Sequence, residues 1–144
     1  MSTSANPTIQ KQPAIDAPSF GRFFELGGRV LLASLFLLSG LTKLSAYGAT
    51  AAYMASMGVP AALLPLVIAT ELLGSLAIIV GWNTRIAAFL LAGFTLIAGG
   101  IFHNNFADQI QTIMFLKDVS IAGAFLMLVA NGAGPLSIDY RRAR

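Results

Sequence analysis

Long apolar runs alternate with short polar stretches along most of the 144-residue chain. A helix needs about 20 residues to cross the hydrocarbon core of a bilayer, with a range of about 17 to 25. Four runs reach that range, and they lie at about 23–44, 61–81, 86–102 and 113–130. The pattern therefore predicts an all-α fold, an integral membrane bundle of four helices.

The stretches outside these runs predict how the chain is organised. Residues 1–22 are polar and contain three prolines, which indicates a disordered tail. Residues 45–60 are rich in Ala, Gly and Ser and predict an interfacial loop. Residues 132–144 predict a second, basic tail. The folded part is then one four-helix membrane domain over residues 23–131.

Composition supports the membrane class and excludes several kinds of chemistry. The chain is 56% hydrophobic and only 10% charged, against roughly 45 to 50% and 25% in globular proteins. Without cysteine it has no disulfide, thiolate metal site, cysteine-ligated iron–sulfur cluster or thiol nucleophile, and we predict no metal site. The net charge of +3 comes from cations at helix ends and in the tail, which argues against a nucleic-acid partner.

The loop charges predict the orientation of the bundle. Lysine and arginine occur in both tails and in the second connection, whereas the first and third connections contain neither. Because cytoplasmic loops carry an excess of these residues, we expect both termini to be cytoplasmic. The bilayer is then the first partner of the chain.

Glu71 lies near the middle of the second apolar run. An ionised side chain at the centre of a bilayer costs about 3 kcal/mol or more, so it usually faces the protein interior and has a partner. Small side chains at Gly74 and Ser75 clear the same helix face. We therefore expect Glu71 to contact a cation from the first or fourth helix.

The predicted topology sorts the ionisable residues into two layers. The first layer lies near the outer ends of the helices and contains Lys43, Glu71, His103, Lys117 and Asp118. Lys117 is followed three and seven residues on by the small residues Ser120 and Ala124. Because adjacent helical residues point about 100° apart, we predict that Lys117, and not Asp118, points inward to Glu71. Asp118 is then expected at a helix interface, hydrogen-bonded to the third connection or to His103.

A second layer lies at the cytoplasmic ends of the helices. Its candidate residues are Arg29, Arg85, Ser137 and Asp139, with Arg22 and Glu25 nearby. We interpret this layer as a headgroup-level set that forms ion pairs and contacts lipid phosphates. For Arg29, and for Lys43 in the outer layer, extension of the side chain to the membrane surface is an open alternative to a role inside the bundle.

Several of these residues fall in motifs that resemble the DoxX family of small bacterial inner-membrane proteins. The motifs are Arg29, the G-x-x-K that ends at Lys43, the YMASMGVP loop, Glu71 followed by Gly81 and Arg85, His103, F-x-K-D-V-S-I-A-G-A-F-L, and the tail G-A-G-P-L-S-I-D. Family members commonly have Asn where this chain has Asp118, and the closing Gly-Pro-Gly order is altered here.

The resemblance implies a four-helix protein of the bacterial inner membrane and a link to redox chemistry. Some family members are similar to a subunit of a thiosulfate:quinone oxidoreductase. On that basis Glu71, His103 and Lys117 are the candidate catalytic residues, and Lys43, Glu71, Lys117 and Asp118 are candidates for holding a quinone-like cofactor. A redox partner subunit and a homo-oligomer are both compatible with this function. The alternatives are a small transporter or channel-like protein, which would need a dimer, and a non-catalytic scaffold subunit.

Overall fold

The computed structural model describes residues 20–144, and this part of the chain is helical without any strand. The helices are α1 (Gly21–Ser45), α2 (Tyr47–Ser56), α3 (Leu64–Val80), α4 (Thr84–Phe102), α5 (Gln109–Asn131) and α6 (Ile138–Arg142). One 3₁₀ turn, Ala61–Leu63, leads into α3. Most of the predicted disordered tail, residues 1–19, lies outside the described residues.

Four helical segments are long and apolar enough to cross a membrane: α1, residues 61–80, α4 and α5. They coincide with the four predicted runs and confirm the all-α, four-span fold. Many large apolar side chains along them are exposed, including Leu31, Leu66, Phe89 and Met127. Such exposure is costly in water and is what lipid-facing positions require.

The helix boundaries differ from the predicted ones at three places. α1 begins at Gly21, inside the predicted tail, and the predicted loop 45–60 contains α2. α5 begins about a turn earlier than predicted because the carboxylate of Asp108 accepts hydrogen bonds from the backbone N–H groups of Ile110 and Gln111. This N-cap satisfies donors that would otherwise lack partners at the helix start.

The closest helix neighbours are α4 with α5, α1 with α3, and α3 with α4. α3 and α4 are joined by a tight turn in which Gly81 and Asn83 have positive φ angles of 69° and 45°. Gly81 suits this turn because glycine reaches that conformation without steric penalty. The short connection makes α3 and α4 antiparallel neighbours.

The main core lies toward the end of the bundle that contains this turn. It joins Ala33 and Phe36 of α1, Ile78 of α3, Leu91 of α4 and Phe125 of α5, with small alanines between them. The rings of Phe36 and Phe125 meet edge to face with centroids 5.3 Å apart. A smaller cluster of Met54, Leu64 and Ile68 packs α2 against α3 at the opposite end.

Candidate functional site

Glu71 lies inside the bundle, where only 3% of its surface is exposed. The ammonium of Lys43 donates a hydrogen bond to Glu71 Oε1 over 2.8 Å, and the hydroxyl of Ser39 donates to the same oxygen over 3.2 Å. Lys43 also donates to Ser39. The predicted contact between Glu71 and a cation of the first helix is therefore confirmed.

The approach of α1 to α3 at this point depends on Gly40. A Cβ atom at that position would lie 2.8 Å from Leu72 Cδ2 and 3.3 Å from Glu71 Cβ. The glycine thus brings the α1 backbone against the Glu71 turn of α3, within reach of Ser39 and Lys43.

The second carboxylate oxygen of Glu71, Oε2, is buried, and no residue in the described part of the chain, 20–144, donates a hydrogen bond to it. A buried acceptor without a donor costs about 1–3 kcal/mol. A ligand N–H or O–H group, a water molecule or a proton on the carboxylate would remove that cost. The site is therefore incomplete with protein atoms alone.

His103, directly after α4, pairs with Asp118 of α5. Its Nδ1 lies 3.0 Å from Asp118 Oδ2, and the two side chains are 31% and 22% exposed. The predicted contact of Asp118 with His103 is confirmed. Since the carboxylate takes Nδ1, exchange of a proton or contact with a ligand would use Nε2 of the imidazole.

Gly99 makes room for this pair. A Cβ at Gly99 would lie 2.8 Å from Asp118 Oδ2 and 3.0 Å from its Cβ, whereas a Cβ at Gly100 would meet nothing within 4 Å. We expect Gly99→Ala to push α5 from α4 and destabilise the protein by about 1–3 kcal/mol. Gly100→Ala, one position away, should cause no loss. Thermal unfolding of both variants checks this, and equal losses would contradict the packing described.

Two cavities meet at the Glu71 site. The larger, about 600 Å³, lies among α1, α2, α3 and α4, and its walls include Lys43, Tyr53, Glu71, Phe102 and His103. The smaller, about 200 Å³, lies toward α5. Glu71 and His103 line both cavities, as do Phe94, Ala98 and Phe102. The side chains of Glu71 and His103 thus lie at the boundary between the two cavities.

The walls of the larger cavity are mainly apolar and aromatic. Tyr53 of α2 and Phe102 of α4 stack with ring centroids 5.5 Å apart and planes at 23°. Leu63, Leu66 and Ile97 also line this cavity and are exposed on the outside of the bundle. The cavity therefore adjoins the lipid-facing surface.

The orientation predicted for Lys117 is wrong. Its side chain is exposed, and neither of the two cavities at Glu71 is lined by it. The neighbouring Asp118 occupies the α4-facing side of α5, and Ala122 and Phe125 continue that buried face. Lys117 must then point away from Glu71, because successive helical residues are about 100° apart.

The sequence interpretation did not place Ser39, Tyr53, Phe94 or Phe102 at the site. Ser39 carried a usable signal, because it precedes Lys43 by four residues and so shares its helix face. The aromatic residues carried none, since an aromatic side chain in an apolar helix suits lipid as well as a cavity wall.

The second predicted layer has a structural centre at Arg29, which is 2% exposed. Its guanidinium donates hydrogen bonds to the backbone carbonyl oxygens of Ile78 and Leu136. Arg29 therefore ties α1 to the end of α3 and to the C-terminal tail. The interpretation as a lipid-contacting or surface-extended arginine is wrong, because the folded-back tail supplies carbonyl acceptors inside the protein.

Ser137 and Asp139 fasten the tail to the turn between α3 and α4. Ser137 caps α6 by accepting a hydrogen bond from the Tyr140 N–H, and the Asp139 N–H donates to the carbonyl of Gly81. The Asp139 carboxylate accepts the N–H groups of Asn83 and Thr84, each over 2.8 Å. We call Arg29, Gly81, Ser137 and Asp139 the tail clamp.

The tail clamp places the start of α1 and the C-terminal tail at the same end of the bundle. Arg85, the remaining candidate of this layer, is exposed. It lines a groove of about 580 Å³ whose walls also include Asn131, Tyr140, and Ser137 and Asp139 of the tail clamp. That both termini face the cytoplasm stays a prediction.

Asp139 gives the tail clamp a pH dependence. Burial alone would raise the pKa of its carboxyl, but hydrogen bonds from Thr84 and Asn83 and the charge of Arg142 hold the pKa below its ordinary value. Because this pKa is lowered, the stabilisation that the ionised Asp139 carboxylate gives to the tail clamp is complete above the ordinary aspartate pKa of about 3.9. It is lost as the pH falls through the lower, folded-state value.

We therefore expect the Thr84 amide to be protected from hydrogen exchange at neutral pH and to lose protection below about pH 4. Asp139→Asn should lower that protection by about 1 kcal/mol at pH 7, as loss of a helix cap does. In this variant the Thr84 amide should also show no further loss of protection as the pH falls below about 4. Hydrogen exchange followed by mass spectrometry tests this, and an identical acid step in the variant would assign it to another carboxyl group.

Comparison with known proteins identifies the family. The DoxX family model matches residues 24–104. The chain is 46% identical over 114 residues to the inner membrane protein YqjF of Escherichia coli K12, which covers 79% of this chain and 88% of that protein. It is 34% identical over 136 residues to the inner membrane protein YphA of the same organism, covering 83% of this chain and 97% of YphA.

No solved structure matches the chain. The matched segment runs from the first turn of α1 to just after His103, so it contains Lys43, Glu71 and the aromatic walls of the larger cavity. With its four spans and these relatives, the chain is an integral, multi-pass inner-membrane protein that belongs to the DoxX family.

Proposed function

We propose that this protein is a quinone-linked redox subunit of the inner membrane, and that the larger cavity holds a quinone-like head group. The observation that carries the proposal is the cavity itself, an apolar and aromatic space of about 600 Å³ with Glu71, Lys43 and His103 in its wall. Pockets for small ligands have volumes of about 300–1,000 Å³ and combine apolar walls with a few polar groups.

The polar groups of the cavity could bind both the oxidised and the reduced form of a quinone. Lys43 is a cationic donor that could bond a carbonyl oxygen, and His103 offers Nε2 while Asp118 holds Nδ1. Glu71 Oε2 has no donor among the described residues, so it could accept a hydrogen bond from the hydroxyl of a reduced head group. When bound, a quinone would supply the electron-carrying chemistry that the side chains of this cysteine-free chain lack.

Access from the bilayer favours a lipophilic ligand. Leu63, Leu66 and Ile97 line the cavity and are exposed on the lipid-facing surface. A ligand with an isoprenoid tail could keep the tail in lipid while its head group contacts Glu71. The stacked Tyr53 and Phe102 rings provide a flat wall for such a head group.

Within this proposal the candidate residues have different tasks. Glu71 exchanges a proton with the quinone head group, and Lys43 forms the ion pair with the Glu71 carboxylate. His103 contacts the head group. Asp118 acts through His103 by holding its ring, and Lys117 has no task because it points away. Electrons would arrive from a redox partner subunit, as no cysteine is available to carry them.

The test is the quinone content of the protein purified in lipid nanodiscs. We expect a stoichiometric quinone in wild-type protein and its loss in Ala98→Phe, which would fill the space that Ala98 lines. Ala130→Phe, at an exposed position of α5, is the matched control and should retain the quinone. A protein that carries no quinone and binds none on addition would contradict the proposal. Ion flux in liposomes, in that case, would indicate the transporter alternative.

A further inference from the structure

The smaller cavity separates the two acidic groups of the site. Its walls include Ser39 of α1, Glu71 of α3, Thr95 of α4, His103 after α4 and Asp118 of α5. A cavity needs only about 10–15 Å³ of such space to hold one water molecule. At about 200 Å³, this one has room for several.

We propose that this smaller cavity is a proton path that joins the His103–Asp118 pair to the Glu71 carboxylate. The proposal rests on the proposed function, because it assigns the route by which Glu71 gains and loses the proton used at the head group. The larger cavity is then the ligand space, and the smaller cavity is the water space.

Three observations support the assignment. Glu71 Oε2 is buried and receives no hydrogen bond from the described residues, so a water molecule or a proton can satisfy it. The side chains of His103 and Asp118 are 31% and 22% exposed, whereas that of Glu71 is 4% exposed, so the pair is the more accessible of the two proton-binding groups. Ser39, Thr95 and the two carboxylates offer the polar partners that ordered water requires.

The path moves a proton and no electron. His103 Nε2 takes a proton from solvent, and the ring becomes an imidazolium whose Nδ1–H stays bonded to Asp118. The proton leaves Nε2 through water to Glu71, which becomes a neutral carboxylic acid while His103 returns to its neutral form. The charged and titratable groups around Glu71 are Lys43 from α1, Tyr53 from α2, His103 after α4 and Asp118 from α5.

Two threonines distinguish this path from entry through the larger cavity. Thr95 lines the smaller cavity and not the larger, and Thr70 lines the larger and not the smaller. Thr95→Leu would therefore fill the proposed path. Thr70→Leu adds the same bulk to the other space and is its matched control.

The experiment uses the ligand-free protein in lipid nanodiscs and time-resolved infrared absorption of carboxyl groups after a pH jump. The Glu71 band is identified by its loss in Glu71→Gln. We expect Thr95→Leu and His103→Gln each to slow its appearance by about 10²-fold, the lower end of what a positioned proton donor contributes. Thr70→Leu should leave the rate unchanged.

Three results would overturn the proton path. The Glu71 band could appear more slowly in Thr70→Leu alone, it could appear at the same rate in all variants, or it could never appear. His103→Gln keeps a hydrogen-bonding side chain and provides the test if Thr95→Leu does not fold. Quinone binding by the wild-type protein and by Thr95→Leu, whose residue does not line the larger cavity, separates the two proposals. If the protein binds quinone but protons enter through the larger cavity, only the proton path is refuted. If Glu71 exchanges its proton as expected but no quinone binds, only the redox function is refuted.

Discussion

Replacing Lys43 by Met is expected to destabilise the protein by about 3 kcal/mol, because it leaves Glu71 as a buried charge without a partner. The value is at the lower end of the range for broken buried ion pairs, since the Lys43 side chain is 25% exposed. Lys117→Met is the matched control. It removes the same charge from an exposed position of α5 and should change stability by less than about 0.5 kcal/mol.

A double variant shows whether the loss comes from the unpaired carboxylate. Lys43→Met combined with Glu71→Leu removes both charges, and replacement of a buried pair by apolar residues is often close to neutral. We expect it to recover most of the stability lost in Lys43→Met. Thermal unfolding of the three purified variants measures this. A larger loss in Lys117→Met, or no recovery in the double variant, would contradict the pairing described here.

Gly81→Ala should be the most damaging small substitution in the tail clamp, at about 2–5 kcal/mol. The φ angle of 69° disfavours a side chain, and an added Cβ would lie 2.3 Å from Ser137 Cβ and 2.5 Å from an Arg29 guanidinium nitrogen. Both effects act at once. The tail would have to move, which would release Leu136 from Arg29 and Asp139 from the α4 start.

Gly58→Ala separates the two effects. Gly58 has a similar φ of 77°, but its added Cβ would meet nothing within 4 Å. It should lose only the conformational part, about 1–2 kcal/mol. Thermal unfolding compares the two variants, and amide exchange at Thr84 reports whether the tail is released. Equal stability losses with a protected Thr84 would mean that the tail does not depend on close contact at Gly81.

The four spans could be predicted from the sequence because bilayer thickness sets a length that only four apolar runs reach. The inward direction of Glu71 followed from the same physics, since an unpaired charge in hydrocarbon is expensive. The helix starts were harder to place. The cap at Asp108 lies in a polar stretch, where a carboxylate before a helix resembles one in a loop.

The faces of α5 could not be predicted, because lipid and protein interior are equally apolar. The small residues Ser120 and Ala124 suggested that Lys117 points inward. The buried positions are instead Ala122 and Phe125, and Gly99 on α4 makes room for Asp118. The role of Arg29 was equally hidden. Its partners are carbonyl groups of Ile78 and Leu136, and no side-chain pattern records them.

Photoaffinity labelling in nanodiscs tests most directly that the cavity at Glu71 is the ligand site. The probe is a short-chain quinone with a photoreactive group on its ring. We expect labels on peptides that contain Tyr53, Phe94 or Phe102, blocked by excess unmodified quinone and absent in Ala98→Phe. Labels at the Arg85 groove, or along lipid-facing residues such as Phe89 without competition, would contradict it.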